Sequence, residues 1–350
     1  PNYAGYDRET LPYHPFLNAD QQGKDLADAL VAARKTFAAI GTEASDALLV
    51  TGYSEGGYAA MAAHREMQAT GMKLSASAPL SAPTAISLLM VYNFNGAPTL
   101  GSTVFTPMLA TSWQQQFGNI YGNTGDIFEA QYATGIDTLL PTTMSSGDLF
   151  ASGKLPQYAL FGTDAQPGPV DAQAARYYGP NNLVRQSFLT AMAGDIAVNS
   201  CPGNAMPLTA APARATNALD CKPVMGFRHA AVANDLRNWL PTRPVLMCGG
   251  SQDPTVNFAS TTATAGYFSA RGMDPATLTV VDLEASGQSD DYSQQRADFA
   301  TAKAKEAADS GTTPEVQAQS VAGAYHGTLV PPYCMVAARK FFNTVVGAGL

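Results

Sequence analysis

Asp46-Ala47-Leu48-Leu49-Val50-Thr51-Gly52-Tyr53-Ser54-Glu55-Gly56-Gly57 is the stretch on which the fold turns. Its first half is a short apolar run closed by glycine, the pattern of a buried parallel strand. Its second half reads Gly-x-Ser-x-Gly, and an Ala-rich helical segment follows from about Gly56 to Ala69. Strand, glycine-rich turn and helix in that order place Ser54 on a sharp strand-to-helix elbow. Gly52, Gly56 and Gly57 put small residues where such a turn is crowded. Ser54 then projects at the carboxyl end of a sheet, where the sites of open α/β proteins lie. The helix amino terminus beneath it favours developing negative charge, and the backbone N–H of Glu55 is a candidate oxyanion donor. The plain alternative is a glycine-rich turn that happens to carry a serine.

The pattern extends outward on both sides. Asp20 stands where it would cap a helix running to about Ile40, with Leu26, Leu30, Ala33, Phe37 and Ile40 as its apolar stripe. Leu74–Ala82 reads as the next strand, so residues 20 to 83 alternate helix and strand, and the strand–helix–strand part from Asp46 is a βαβ unit. Residues 84–240 differ. They hold Gly, Pro, Asn and Thr clusters between helical patches such as Leu183–Val198 and Phe227–Leu240, with no parallel strand. A structureless loop of that length is improbable, which points to a helical insertion. The alternation resumes with a strand at Pro244–Gly250, a helix around Phe258–Arg271 and a strand at Leu278–Leu283. A polar helical stretch covers 291–322, and a last helix starts near Pro331 or Pro332. The expectation is an α/β fold: a mostly parallel sheet with helices on both faces. Its core comes from residues 1–83 and 241–350, interrupted by a cap over 84–240.

Composition narrows the function classes. The 350 residues are 46% hydrophobic and 14% charged, with 20 Lys and Arg against 28 Asp and Glu, a net charge of −8. An acidic chain without a basic run is a poor fit to nucleic acid or an anionic membrane. No stretch approaches the roughly 18 unbroken apolar residues of a membrane helix. There is no His-Glu-x-x-His, no Gly-x-Gly-x-x-Gly after a strand and no phosphate-binding Gly-x4-Gly-Lys motif. Asp290-Asp291 reads as solvated loop rather than a metal site or an acid pair. Tyr177-Tyr178 reads first as core, and second as the lining of an acyl pocket.

A serine nucleophile needs a base, usually histidine, and the chain has four. His64 lies on the elbow helix, roughly 15 Å along it from Ser54, and cannot reach. His14, between Tyr13 and Pro15, reads as a loop packing residue. His229 falls inside a predicted helix before the strand at 244. His326 follows the last strand, and Gly327 beside it permits a tight loop, so His326 is the candidate base. Asp253 follows the strand Pro244–Gly250 and is the candidate to orient it. Asp253 would equally suit a turn or helix cap, and Asp282 and Glu284, after the next strand, are its rivals. The order Ser54, Asp253, His326 matches the chain order of the α/β-hydrolases.

Four cysteines, Cys201, Cys221, Cys248 and Cys334, permit three pairings. None sits at Cys-x-x-Cys spacing. Cys201–Cys221 with Cys248–Cys334 is the favoured set, since the first pair staples a Pro- and Ala-rich loop, worth about 3 kcal/mol by chain entropy. That reading implies a secreted or periplasmic protein; four buried free thiols would imply a cytosolic one.

Several segments resemble the secretory lipase, or lipase A-like, branch of the α/β-hydrolases. They are Pro1-Asn2-Tyr3-Ala4-Gly5-Tyr6, His14-Pro15-Phe16-Leu17 and the Gly-Tyr-Ser-Glu-Gly-Gly elbow. Asn234-Asp235-Leu236-Arg237-Asn238-Trp239, Gly249-Gly250-Ser251-Gln252-Asp253-Pro254 and His326-Gly327 complete the set. The likeness covers both ends of the chain and skips most of the insertion. It implies a cofactor-free ester hydrolase with a large helical cap and with Ser54, Asp253 and His326 at the triad positions. Its substrate would be an acyl or lipid-like ester. In that family the Pro-x-Tyr-x-Gly-Tyr segment follows earlier strands and a loop that supplies the second oxyanion donor. The expectation is therefore an upstream segment, for example an associated N-terminal fragment of the same protein. The competing readings are a serine peptidase or amidase of the same fold, and a non-catalytic α/β-hydrolase-like binding protein.

Overall fold

The computed structural model describes residues 3–6, 11–168 and 172–347; Pro1 and Asn2 of the amino-terminal motif lie outside them. In chain order the longer elements begin with α1 (Ala19–Thr36), β1 (Leu49–Tyr53), α2 (Glu55–Ala69) and β2 (Ala76–Leu80). The helices α3 (Ile86–Phe94), α4 (Ser102–Phe117), α5 (Gln186–Val198) and α6 (Gly226–Ala233) follow. Then come β3 (Val245–Gly249), α7 (Ala259–Ala270), β4 (Leu278–Asp282), α8 (Ser293–Ser310), α9 (Pro314–Ala324) and α10 (Val330–Val346). The chain divides into two units. One comprises Ala19–Ala85, Leu208–Ala218 and Leu236–Leu350; the other comprises Pro1–Asn18, Ile86–Pro207 and Leu219–Asp235.

The first unit is built on a four-stranded, wholly parallel sheet in the order β1-β2-β3-β4. The two inner strands are buried at every position, whereas the outer ones are half-buried. Alternation along the strands assigns the faces. Ala76, Ala78 and Leu80 of β2, with Leu246 and Cys248 of β3, meet Phe299 of α8 and Ala337, Ala338 and Phe341 of α10. Alanines on β2 leave room for a helix to approach closely, and the Cys248–Cys334 disulfide ties β3 to α10 across this layer. Ser77 points the other way, to His64 of α2, whose Nδ1 lies 2.8 Å from the Ser77 hydroxyl. On that side Trp239 packs edge-on to both His64 and Phe268 of α7.

Helix α1 departs from its sequence pattern. It starts at Ala19, which puts Asp20 inside the first turn, paired with Arg65 at 2.6 Å, rather than at the cap. It ends at Thr36, so Phe37 and Ile40 fall beyond it, and Ile40 is 68% exposed. The helix buries Gln22, Gly23 and Ala27 instead, with Leu26 and Leu30 packed at the rim of a cluster around Ala63, Met67 and Leu74. Gly23 explains the choice. A Cβ there would stand 2.8 Å from the Ala62 carbonyl of α2, so the two helices touch backbone to backbone along this line.

The second unit is helical among its described residues, with isolated bridges at Phe128–Val184 and Phe161–Tyr178. Its core is aromatic: Phe94 meets Phe161, Phe188 and Phe227 edge-on, and Trp113 leans on Phe227. The Cys201–Cys221 disulfide closes the Pro- and Ala-rich loop. Beside it, the buried Asp195 carboxylate accepts from the Val224 and Met225 N–H groups and pairs with Arg228 at 3.1 Å. His14 packs among Tyr3, Tyr6 and Phe16, its Nδ1 2.9 Å from the Ala4 carbonyl oxygen. Among the described residues, no helix is long and apolar enough to cross a membrane.

His64 carries a pH consequence. Burial, with the positive charge of Arg243, pushes its pKa down from 6.5 to about 4, so the folded protein holds it neutral. Between those values the unfolded chain binds a proton that the fold refuses, and stability falls as pH falls. The group alone accounts for a loss of order 3 kcal/mol between pH 6.5 and 4. Urea unfolding at pH 7, 5.5 and 4 should show this slope in the wild type and a flatter one in His64→Gln.

Candidate active site

Ser54 joins β1 to α2 in a backbone conformation that few residues adopt, with φ 57° and ψ −122°. Its N–H donates to the Leu80 carbonyl at 2.8 Å, continuing the sheet. Its carbonyl accepts from Gly57 and Tyr58, starting the helix. The residue therefore belongs to strand and helix together, and the elbow closes within one position. Two glycines make this feasible. A Cβ on Gly52 would lie 2.1 Å from the Gly56 carbonyl oxygen, and one on Gly57 would lie 2.8 Å from the Leu80 oxygen.

His326 does not sit in a loop, as its Gly327 neighbour suggested. It lies in a π-helical turn, Tyr325–Leu329, inserted between α9 and α10. The wide turn lets the chain run on as helix while the imidazole is carried toward the sheet. Its Nε2 lies 2.7 Å from Ser54 Oγ, and its Nδ1 lies 2.7 Å from Asp253 Oδ2. Asp253 is 6% exposed. Its Oδ1 accepts from the Thr255 and Val256 N–H groups, so one oxygen fixes the turn and the other faces His326. The capping role and the orienting role thus coexist in one carboxylate. A carboxylate only accepts, so Nδ1 carries the imidazole proton and Nε2 is left to accept from the serine hydroxyl.

The rival acids are engaged elsewhere. Asp282 accepts from the Ser251 and Glu284 N–H groups. Glu284 accepts from the Tyr325 hydroxyl and pairs with Lys303 at 2.6 Å. Asp290 pairs with Arg296, an ion pair that holds its carboxyl below the usual range. His229 lies on α6 against Phe117. Glu55 is the first residue of α2, so its N–H stands at the helix amino terminus beside Ser54, and its carboxylate accepts from Gln22 at 2.6 Å.

One neighbour gave no signal in sequence. Tyr53 fills a variable position of the elbow motif, yet its hydroxyl donates to the His326 carbonyl at 2.6 Å. Its ring lies 5.1 Å from the imidazole. Burial pushes its phenol well above the usual range, so the hydroxyl keeps its proton at neutral pH.

No protein-family model and no curated protein matches the sequence, but solved structures do. The rice cell wall degrading esterase LipA of Xanthomonas oryzae, an α/β-hydrolase, superposes with a TM-score of 0.62 at 24% identity, over 82% of this chain and 63% of that one. A ligand-bound form of LipA superposes at 0.66 and 23% identity, over 97% and 69%. This chain has the α/β-hydrolase fold. A Legionella pneumophila protein provisionally described as a hydrolase shares it, at 17% identity and a TM-score of 0.59, over 99% of this chain and 68% of that one. The chain thus spans between 63% and 69% of the length of these relatives. Within the α/β-hydrolase fold, Ser54, Asp253 and His326 all stand at carboxyl ends of strands or on the turn facing them.

The elbow glycine is testable by itself. Gly52→Ala forces a methyl group into backbone and should destabilise the protein by about 3 kcal/mol or abolish folding, whereas Gly71→Ala, in open space, should cost about 1 kcal/mol for its positive φ. Thermal melts of the two variants decide it.

Proposed function

We propose that this protein is a serine carboxylic-ester hydrolase, an esterase or lipase, working through an acyl-enzyme. The observation that carries the reading is the unbroken chain Ser54 Oγ–His326–Asp253, with 2.7 Å at each link. Ser54 attacks the ester carbonyl while His326 Nε2 takes its proton. Asp253 holds the imidazole in the right tautomer and stabilises its charge. The Glu55 N–H, at the amino terminus of α2, donates to the oxyanion. His326 then protonates the leaving alcohol, and a water activated by the same base releases the acid. No cofactor enters these steps.

The likeness to LipA supports an ester over an amide. Residues 84–240 act as the cap that shapes acyl selection. In the unit to which most of them belong, Phe94, Phe161, Tyr178 and Leu189 line a hollow of about 400 Å³. Two disulfides, with the likeness to a protein that degrades cell walls, support a secreted or periplasmic location.

Hydrolysis of p-nitrophenyl esters of increasing chain length, beside the matching anilides, tests the reading. Ser54→Ala should lose at least about 10³-fold in kcat and all labelling by a fluorophosphonate, and Asp253→Asn about 10³–10⁴-fold in kcat. Wild-type turnover in Ser54→Ala would sink the mechanism. Preference for the anilides would replace an esterase with an amidase.

A further inference from the structure

The π-helical turn that carries His326 is short of donors. Its Val330 N–H reaches back five residues to the Tyr325 carbonyl. The next rung of that ladder would run from residue 331 to the His326 carbonyl, and residue 331 is proline, as is residue 332. Proline has no N–H to give. The His326 carbonyl instead receives the Tyr53 hydroxyl at 2.6 Å.

We infer that Tyr53 is a positioning residue for His326: its hydroxyl stands in for the donor that Pro331 lacks and so holds the turn that aims the imidazole at Ser54. The inference rests on the proposed Ser54–His326–Asp253 mechanism and extends it. Tyr53 precedes Ser54, so its backbone sets the nucleophile while its side chain sets the base. Its ring, tilted 43° to the imidazole, closes one side of the histidine. The adjacent phenol, Tyr325, is turned away to Glu284, which Lys303 holds in turn. The base therefore sits on a turn pinned through a phenol on each side, at consecutive residues. A Tyr53 that served only to fill space would be replaced by Phe without loss.

Tyr53→Phe, Pro331→Ala and the double variant test this in the full chain. Tyr53→Phe keeps the ring and should lower kcat about tenfold or more with KM nearly unchanged, and should lower the melting temperature modestly because the His326 carbonyl loses its donor. Pro331→Ala restores an N–H at residue 331, so Tyr53→Phe in that background should cost several-fold less. The downfield proton resonance of the His326 Nδ1–H should shift or broaden in Tyr53→Phe and recover in the double variant. Tyr53→Phe at wild-type kcat with an unmoved resonance would overturn the inference. So would an equal loss in both backgrounds, which would leave Pro331 out of the account. If the wild type neither hydrolyses esters nor labels at Ser54, the ester-hydrolase reading falls, and the resonance still decides the role of Tyr53.

Discussion

Everything at the site depends on one strained residue. Ser54 holds a positive φ without being glycine, a conformation that costs of order 1–3 kcal/mol and persists only when its surroundings impose it. Here they do. The Leu80 carbonyl fixes its N–H from the sheet side, and the first turn of α2 fixes its carbonyl from the helix side. Neither could close on it if Gly52 or Gly57 carried a side chain. The strain projects the hydroxyl out of the regular structure, with the start of a helix at its foot. Backbone packing among small residues thus becomes chemical exposure of one oxygen.

The other two groups are held by satisfying backbone, not by bulk. Asp253 is nearly out of contact with solvent, and a buried carboxylate is tolerable only when its lone pairs are used. Two amides take one oxygen and the imidazole faces the other. His326 depends on a helical irregularity, and such single π turns recur at functional sites because they re-aim the downstream residues without ending the helix. Each of the three side chains is placed where the main chain departs from regular geometry: a positive φ at Ser54, a turn at Asp253 and a π turn at His326.

How much of this was legible in the sequence depends on the range of the forces involved. β1 and β3 were readable because apolar runs closed by glycine are local signals, and all four strands lie within a few residues of their expected places. The elbow was readable because its steric requirement is written in neighbouring glycines. The pairing of Ser54 with His326 was reachable by position, elimination and family resemblance but not from any local pattern, since the two are separated by 272 residues. The π turn was not legible. Gly327 suggested a loop, and nothing local distinguishes an inserted helical residue from one. Tyr53 was invisible because its partner is a backbone atom far along the chain. The face of α1 was misjudged because Gly23 allows a helix–helix contact that hydrophobic periodicity does not register.

The disulfide between Cys248 and Cys334 has a further consequence. It closes a loop over 86 residues, and that loop contains both Asp253 and His326 but not Ser54. In the oxidised unfolded chain the two groups remain tethered to one another, a restriction worth about 4–5 kcal/mol in the chain-entropy model. Assembly of the constellation is then one long-range encounter instead of two, the arrival of the serine elbow at a pair already confined. Two of the three parts of the site are kept within reach by a covalent bond that touches none of them.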